Sequence, residues 1–351
     1  MGEEKEEKEK KEKIKLAFYW GATCGGCDVA TLDIKEKILD VVSIADIVLW
    51  PVAMDFKYTD VEEMEPDSID VCLFNGAIQS SEHEEIAEML REKSKVMIAY
   101  GSCACFGGIP GLGNVANREQ IFKTVFKDTP STVNPEFVTP QTEMIDDAGE
   151  KLTLPEIWDT VKTLDQTVDV DYYVPGCPPV VDRINDAIGI IAKYAETGEL
   201  PPKAAVVAFK KALCDECERK KDDAMKIKRI YRPYELTEID PEKCLLEQGL
   251  LCTGSATRGG CGARCIKANM PCRGCYGPTS EIKDQGAAAL SAVASILGIE
   301  EETEMIEEGI AEEVDELLDQ VKDPLGTFYR FGLPNSRLKR VIINPDGGKE
   351  D

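Results

Sequence analysis

Between Cys214 and Cys275 the chain carries eight cysteines, and this run constrains its fold more than any other feature. It reads CxxC at Cys214 and Cys217, then Cys244, Cys252, Cys261 and Cys265, and closes with a second CxxC at Cys272 and Cys275. A CxxC turn brings two sulfurs to one metal centre, and thiolates in fours are the ligand set of an iron-sulfur cluster or of structural zinc. Four more cysteines, set far apart, precede the run. The pattern reads as wiring for electrons.

The chain has 351 residues and fourteen cysteines, an even number, so a disulfide framework is the first alternative. The N-terminus shows neither an apolar signal segment nor a twin-arginine pair, and no apolar run is long enough to cross a bilayer. A cytoplasmic chain with no membrane partner is therefore expected. Clustered cysteines in that reducing compartment hold metal more often than disulfides. The one histidine, His83, falls in SSEHEEIAEML near the start of an expected amphipathic helix and reads as a solvated surface residue. All-cysteine ligation is then the default. A formal charge of -25 repels phosphate backbones, so no nucleic-acid partner is expected either.

Four segments follow from the order of the chain: a charged arm over 1–13, an α/β domain over 14–200, a loop-rich cysteine domain over 201–280, and C-terminal helices and tail over 281–351. The arm, GEEKEEKEKKEK, has no apolar face. Strands are expected over 14–20, 45–52, 69–74, 95–100 and 168–174, with helices opening near Asp28 and spanning 82–93 and 181–194. Strands alternating with helices predict a mainly parallel sheet covered on both faces. Cys24 and Cys27 in GATCGGCD, Cys103 in GSCACFGG and Cys177 in PGCPP each come just after an expected strand. That carboxyl edge is where open parallel sheets bind ligands, so three strands deliver four thiolates to one rim. Neighbouring glycines let backbone approach a bulky cluster and offer N–H groups to its sulfurs. No GxGxxG or GxxxxGK[ST] motif follows a strand, which argues against a nucleotide site. Cys72, inside a strand, reads as a small core residue, and Cys105 as a spare ligand at most. The apolar helix over 285–299 and the acidic one over 301–321 either pack on the cysteine domain or present a docking face.

CGGC, GSCACFGG and PGCPP, in this order on successive strand ends, resemble the proximal-cluster motifs of nickel-iron hydrogenase small subunits, whose N-terminal domain is flavodoxin-like. The resemblance runs from about Ile14 to Gly277. It implies that Cys24, Cys27, Cys103 and Cys177 bind a proximal 4Fe-4S cluster facing a large subunit. It further implies a medial cluster on Cys261, Cys265, Cys272 and Cys275 and a distal cluster on Cys214, Cys217, Cys244 and Cys252. The chain departs from periplasmic members in having Cys214 where those have a histidine, and in the extra ligand that Cys265 offers a site often holding three irons. Three 4Fe-4S clusters are the implied cofactors.

Within that family the all-cysteine ligation and the tail DPLGTFYRFGLP resemble the gamma subunits of the cytoplasmic methyl-viologen-reducing, F(420)-non-reducing hydrogenases of methanogenic archaea. The gamma subunits of the deazaflavin-reducing hydrogenases share the cysteine pattern. The resemblance implies that hydrogen is split on a nickel-iron large subunit and that electrons leave through a small iron-sulfur (delta) subunit to heterodisulfide reductase. No acid, base and nucleophile set is evident, so no catalytic residue is assigned to this chain. Two rivals are a quinone-linked respiratory-complex subunit, which resembles only the first half, and a zinc-stabilised scaffold.

Overall fold

The computed structural model describes residues 13–297 and 316–343. The chain runs β1 (Ile14–Trp20), α1 (Gly26–Leu32), α2 (Ile38–Ile44), β2 (Ala45–Leu49), α3 (Tyr58–Glu62), β3 (Ile69–Asn75), β4 (Ile78–Ser80), α4 (Ser81–Lys93) and β5 (Ser94–Tyr100). It continues through α5 (Ser102–Phe106), α6 (Arg118–Lys123), β6 (Glu143–Ile145), β7 (Lys151–Thr153), β8 (Ile157–Lys162), β9 (Tyr172–Val174), α7 (Val181–Thr197) and β10 (Ala205–Val206). Six strands form one parallel sheet in the order β10-β9-β5-β3-β1-β2. Read from β2, this is the flavodoxin-like order with one added edge strand. The α/β, flavodoxin-like architecture expected from the sequence is the one found.

Period-two alternation assigns each strand residue to one of two cores. Leu16 and Phe18 of β1, Val71 and Leu73 of β3, and Val96 and Ile98 of β5 face Ala30, Val41, Ile184 and Ile191 on one side. Ala17, Tyr19, Cys72, Phe74, Met97 and Ala99 face Val61, Ile86 and Leu90 on the other. Cys72 is thus a core residue, fully buried.

Two strands are shorter than the apolar pattern suggests. β2 stops at Leu49 because Pro51 lacks an N–H and the chain turns there, with Ala53 N–H bonded to Trp50 O at 2.9 Å. The strand expected over 168–174 pairs only from Tyr172, since Val168 N–H returns to Leu164 O in a turn. The irregular stretch before it contains an unforeseen hairpin of β6 and β7, and β8 pairs antiparallel with β4.

Residues 201–280 hold β10, the short helix α8 (Arg264–Lys267) and 3-10 turns among otherwise irregular chain. The helix expected over 285–299 runs as α9 (Gln285–Ala294); its Ala289 and Val293 pack against Ile227, Ile230, Leu251 and Phe328. The last two residues of that expectation, most of the acidic helix over 301–321 and residues 1–12 of the arm lie outside the described residues. Among the described residues no helix is long and apolar enough to cross a membrane.

One buried carboxylate fastens the edge of the sheet. Asp171 accepts from Met97 N–H at 2.9 Å, pairs with Arg91 of α4 at 2.8 Å and with Lys203 at 3.0 Å. Burial alone raises its pKa, but these donors outweigh it and hold the carboxyl below its ordinary value. A depressed folded-state pKa contributes stability that is present above the unfolded-state value of about 3.9 and is lost as pH falls through the folded one. Urea unfolding followed from pH 6 to pH 2 should therefore show a steeper acid loss in the wild type than in Asp171→Asn. The variant should also be the less stable of the two at pH 6.

Candidate metal centres

The first thiol set stands at the carboxyl edge of the sheet. β1 leads into a loop tied to β3 by Gly21 N–H to Asn75 O at 2.7 Å, and this loop presents Cys24 before α1 begins. Cys27 lies in the first turn of α1, Cys103 in α5 just after β5, and Cys177 just after β9. Gly101 separates two of these loops at a φ of 84°, and a Cβ there would stand 2.3 Å from Cys27 Sγ. At Gly108, φ is 57° and a Cβ would come within 2.5 Å of Cys103 Sγ. Any side chain at either position would occupy the space of a sulfur ligand.

The four thiols feel one another. Burial pushes the Cys27 thiol far up, and Cys103, Cys177 and Cys24 add to the effect as neighbouring negative charges. Cys103 is pushed up to about 11 by burial and by Cys177 and Cys24, against the hydrogen bonds of Thr23 and of Ile109 N–H. Cys27 and Cys103 are buried, whereas Cys24 and Cys177 are exposed, so the set opens on one side to the surface.

A second set lines one cavity of about 270 Å³: Cys214, Cys217, Cys244 and Cys252. Gly254 sits between two of them, its Cβ position 3.6 Å from the sulfurs of both Cys214 and Cys252. Lys221 is within hydrogen-bond reach of Cys214, and Cys252, pushed up to about 12 by burial and by Cys272, accepts from Gly254 N–H and Cys272 N–H.

The remaining four, Cys261, Cys265, Cys272 and Cys275, are neighbours in the same sense. Burial first, and then Cys272 and Cys261, raise the Cys275 thiol; Cys265 acts on Cys261. Their sulfurs meet the N–H groups of Ala263, Arg264 and Gly274 and the hydroxyls of Thr253 and Thr257.

Two hydrogen bonds join the three sets in a row. Cys177 N–H points at Cys275 Sγ, linking the rim set to the 261–275 set. Cys272 N–H donates to Cys252 Sγ at 3.3 Å, linking that set to the 214–252 set. Ser102 beside Cys103 donates to Cys275 O, and Val180 N–H donates to the buried Tyr276 hydroxyl at 3.1 Å, which fastens the cysteine region to the sheet.

Crowded buried thiols cannot ionise together unless a cationic core neutralises them, and a coordinating thiol is deprotonated by its metal. The donor sets therefore fit a metal core of four sulfur ligands each. Zinc would need its sulfurs about 2.3 Å from a single point. A polynuclear iron-sulfur core takes four thiolates as well, and backbone N–H groups directed at them, as at Cys252, Cys261 and Cys272, suit it.

The other candidates lie elsewhere. Cys105 is 1% exposed and its thiol donates to Ala99 O at 3.3 Å, inside the core rather than toward the rim. His83 is not a solvated surface residue. It is half-buried, its Nδ1 accepts from Gln79 N–H at 3.3 Å, and burial lowers its pKa; it lines a cavity of about 690 Å³ with Arg118 and Glu156, apart from every thiol set. Asp28, next to Cys27, is marked by the sequence only as the opening of a helix. It is 3% exposed and accepts from Trp50 Nε1 at 2.8 Å and Asn75 Nδ2 at 3.1 Å, so its carboxyl braces α1 against β3. The aspartate closing CGGCD was the available signal, but its buried partners lie 22 and 47 residues away.

With this geometry in place, comparison with known proteins is informative. Residues 24–191 match the family of the NADH ubiquinone oxidoreductase 20 Kd subunit, a stretch that holds the rim set and ends before Cys214. The F(420)-non-reducing hydrogenase iron-sulfur subunit of Archaeoglobus profundus is 39% identical over 338 residues, covering 94% of this chain and 99% of its own. An F(420)-non-reducing hydrogenase subunit of Methanothermobacter marburgensis is 38% identical over 332 residues, covering 94% and 98%. A solved chain of the NiFeSe hydrogenase of Dm. baculatum aligns with 77% of this chain and 96% of its own, at 17% identity and a TM-score of 0.47. The near full-length likeness to the two archaeal relatives includes the eight-cysteine region as well as the sheet, and the chain belongs with them to the F(420)-non-reducing hydrogenase iron-sulfur subunits, a family of hydrogenase small-subunit-like proteins.

Proposed function

We propose that this chain is the electron-conducting subunit of a cytoplasmic nickel-iron hydrogenase complex, with one 4Fe-4S cluster on each of its three thiol sets. The observation that carries the reading is the row itself. It starts at a rim with two exposed thiols, passes through Cys177 and Cys275, and then through Cys272 and Cys252. Clusters of this kind supply one-electron exchange over roughly -700 to +450 mV. The rim set faces the hydrogen-splitting large subunit, and the 214–252 set faces the acceptor. That acceptor is a small iron-sulfur (delta) subunit leading to heterodisulfide reductase.

The chain's own residues perform three tasks in this scheme. The rim cysteines are held by loops and helix starts that follow strand ends, and the Cys275 stretch is fastened to that domain through Ser102 and Val180. N–H groups from Ala263, Arg264, Gly254 and Gly274 and the Lys221 ammonium stabilise negative charge on sulfur. The apolar packing of Leu213, Leu245, Leu250 and Ile266 around the second and third sets keeps water out and strengthens those interactions.

The native complex, purified without oxygen, should contain about twelve irons per copy of this chain beyond those of its partners, with nickel in a stoichiometric large subunit. Zinc without iron would overturn the electron-transfer reading, and iron without nickel would overturn the hydrogenase assignment alone. Replacement Cys177→Ser should remove or convert the rim cluster, seen as loss of its EPR signal, and abolish hydrogen-dependent dye reduction. Full activity in that variant would strike Cys177 from the ligand set. By contrast, Cys105→Ala should keep the wild-type iron content, and a loss of about four irons would make Cys105 a ligand after all.

A further inference from the structure

Beside the cysteine region lies a pocket of about 160 Å³ whose lining includes Arg232, Arg273, Arg330, Lys322, Tyr231 and Thr327. Four cations converging in a chain of net charge -25 repel one another unless something offsets them. Arg273 lies within electrostatic reach of both Arg330 and Arg232. Among the described residues none of the four forms an ion pair with a carboxylate. One acidic residue, Asp323, also borders the pocket, but its Oδ1 accepts from Gly326 N–H at 2.9 Å and caps the short helix Pro324–Phe328. Two of the guanidinium groups are held in place from behind: Arg273 Nη1 donates to Leu251 O at 3.2 Å and Arg330 Nε to Gly326 O at 2.8 Å. Each still has several N–H donors to offer, because a guanidinium carries five.

We propose that this pocket binds a phosphate-type oxyanion, free or as the phosphoryl group of a small ligand, and that its occupancy tunes the charge felt at Cys252 and Cys272. Three planar forks and an ammonium match a tetrahedral dianion, which accepts from several forks at once; a single carboxylate would leave most of these donors and most of the charge unmet. The link to the thiols is Arg273, which directly follows Cys272 and donates to the carbonyl of Leu251, the residue before Cys252, so that the sulfurs of both cysteines lie within its electrostatic reach. An oxyanion on Arg273 cancels part of the positive charge that favours an added electron nearby, so the anion binds more tightly to the oxidised chain than to the reduced one. By reciprocity, its binding lowers the reduction potential there. This second half rests on the cluster reading above; the binding itself does not.

Calorimetric titration of the anaerobically purified complex with inorganic phosphate at low salt, and in a second arm with adenosine monophosphate, tests the site. Saturable binding of one phosphate per copy of this chain, weakened at least tenfold in Arg232→Gln and in Arg330→Gln, is the expected result. Tighter binding of the monophosphate would identify a phosphorylated ligand rather than the free ion. Absence of saturable binding, or equal binding in both variants, would overturn the proposal. Phosphate should also raise the melting temperature of the wild type but not of Arg232→Gln, whose side chain is exposed and whose fold should be unaffected. In an EPR-monitored redox titration, a tenfold preference for the oxidised form appears as a fall of about 59 mV on adding phosphate, absent in Arg232→Gln. Binding without any shift would overturn the tuning while leaving the site, and neither result depends on hydrogenase activity.

Discussion

The burial of thiols beside one another is the constraint on which the rest of this structure depends. Each of the three sets contains a buried thiol, Cys27, Cys252 or Cys275, whose pKa is raised first by burial and then by the neighbouring thiols. Such an arrangement is unfavourable in the bare chain and favourable once a cationic core is bound. Backbone N–H groups, two threonine hydroxyls and the side chains of Lys221 and Arg273 lower the cost from the protein side. The glycines beside the rim set follow from the same requirement, because a Cβ would take the place of a sulfur.

The parallel sheet is what allows such a site to be rigid. Strands β1, β3 and β5 are buried on both faces, and their alternating side chains lock two separate cores. Loops leaving their carboxyl ends therefore start from fixed points. Trp50 and Asn75 extend this rigidity one layer outward by donating to the buried Asp28 carboxylate. The cysteine region has little regular structure of its own. It takes its position from a few long-range bonds, Ser102 to Cys275 and Val180 to Tyr276 among them, and from the packing of α9.

This division of labour also separates two kinds of surface. The rim set opens between loops rich in glycine, where a partner's backbone can come close. Where the two C-terminal sets meet, the arginine pocket lies beside the tail helix and gathers Arg232, Arg273, Arg330 and Lys322. Of these, Arg273 lies within electrostatic reach of the sulfurs of Cys252 and Cys272.

The amino-acid sequence by itself determined the α/β class, the strands whose apolar runs are strong and local, and the three cysteine loops that follow them. These features depend on period-two patterning and on glycine and proline punctuation within a few residues, and so they are legible without a fold. Tertiary structure alone decided the rest. β10 and the β4–β8 pair exist only because distant segments meet, and β9 is short because Val168 turns back before it can pair. The burial of His83 and Asp28, the order of the thiol sets along the row, and the meeting of Arg232, Arg273 and Arg330 likewise depend on contacts between residues far apart in the chain. No local periodicity encodes such contacts, because they arise from the packing of whole elements against one another.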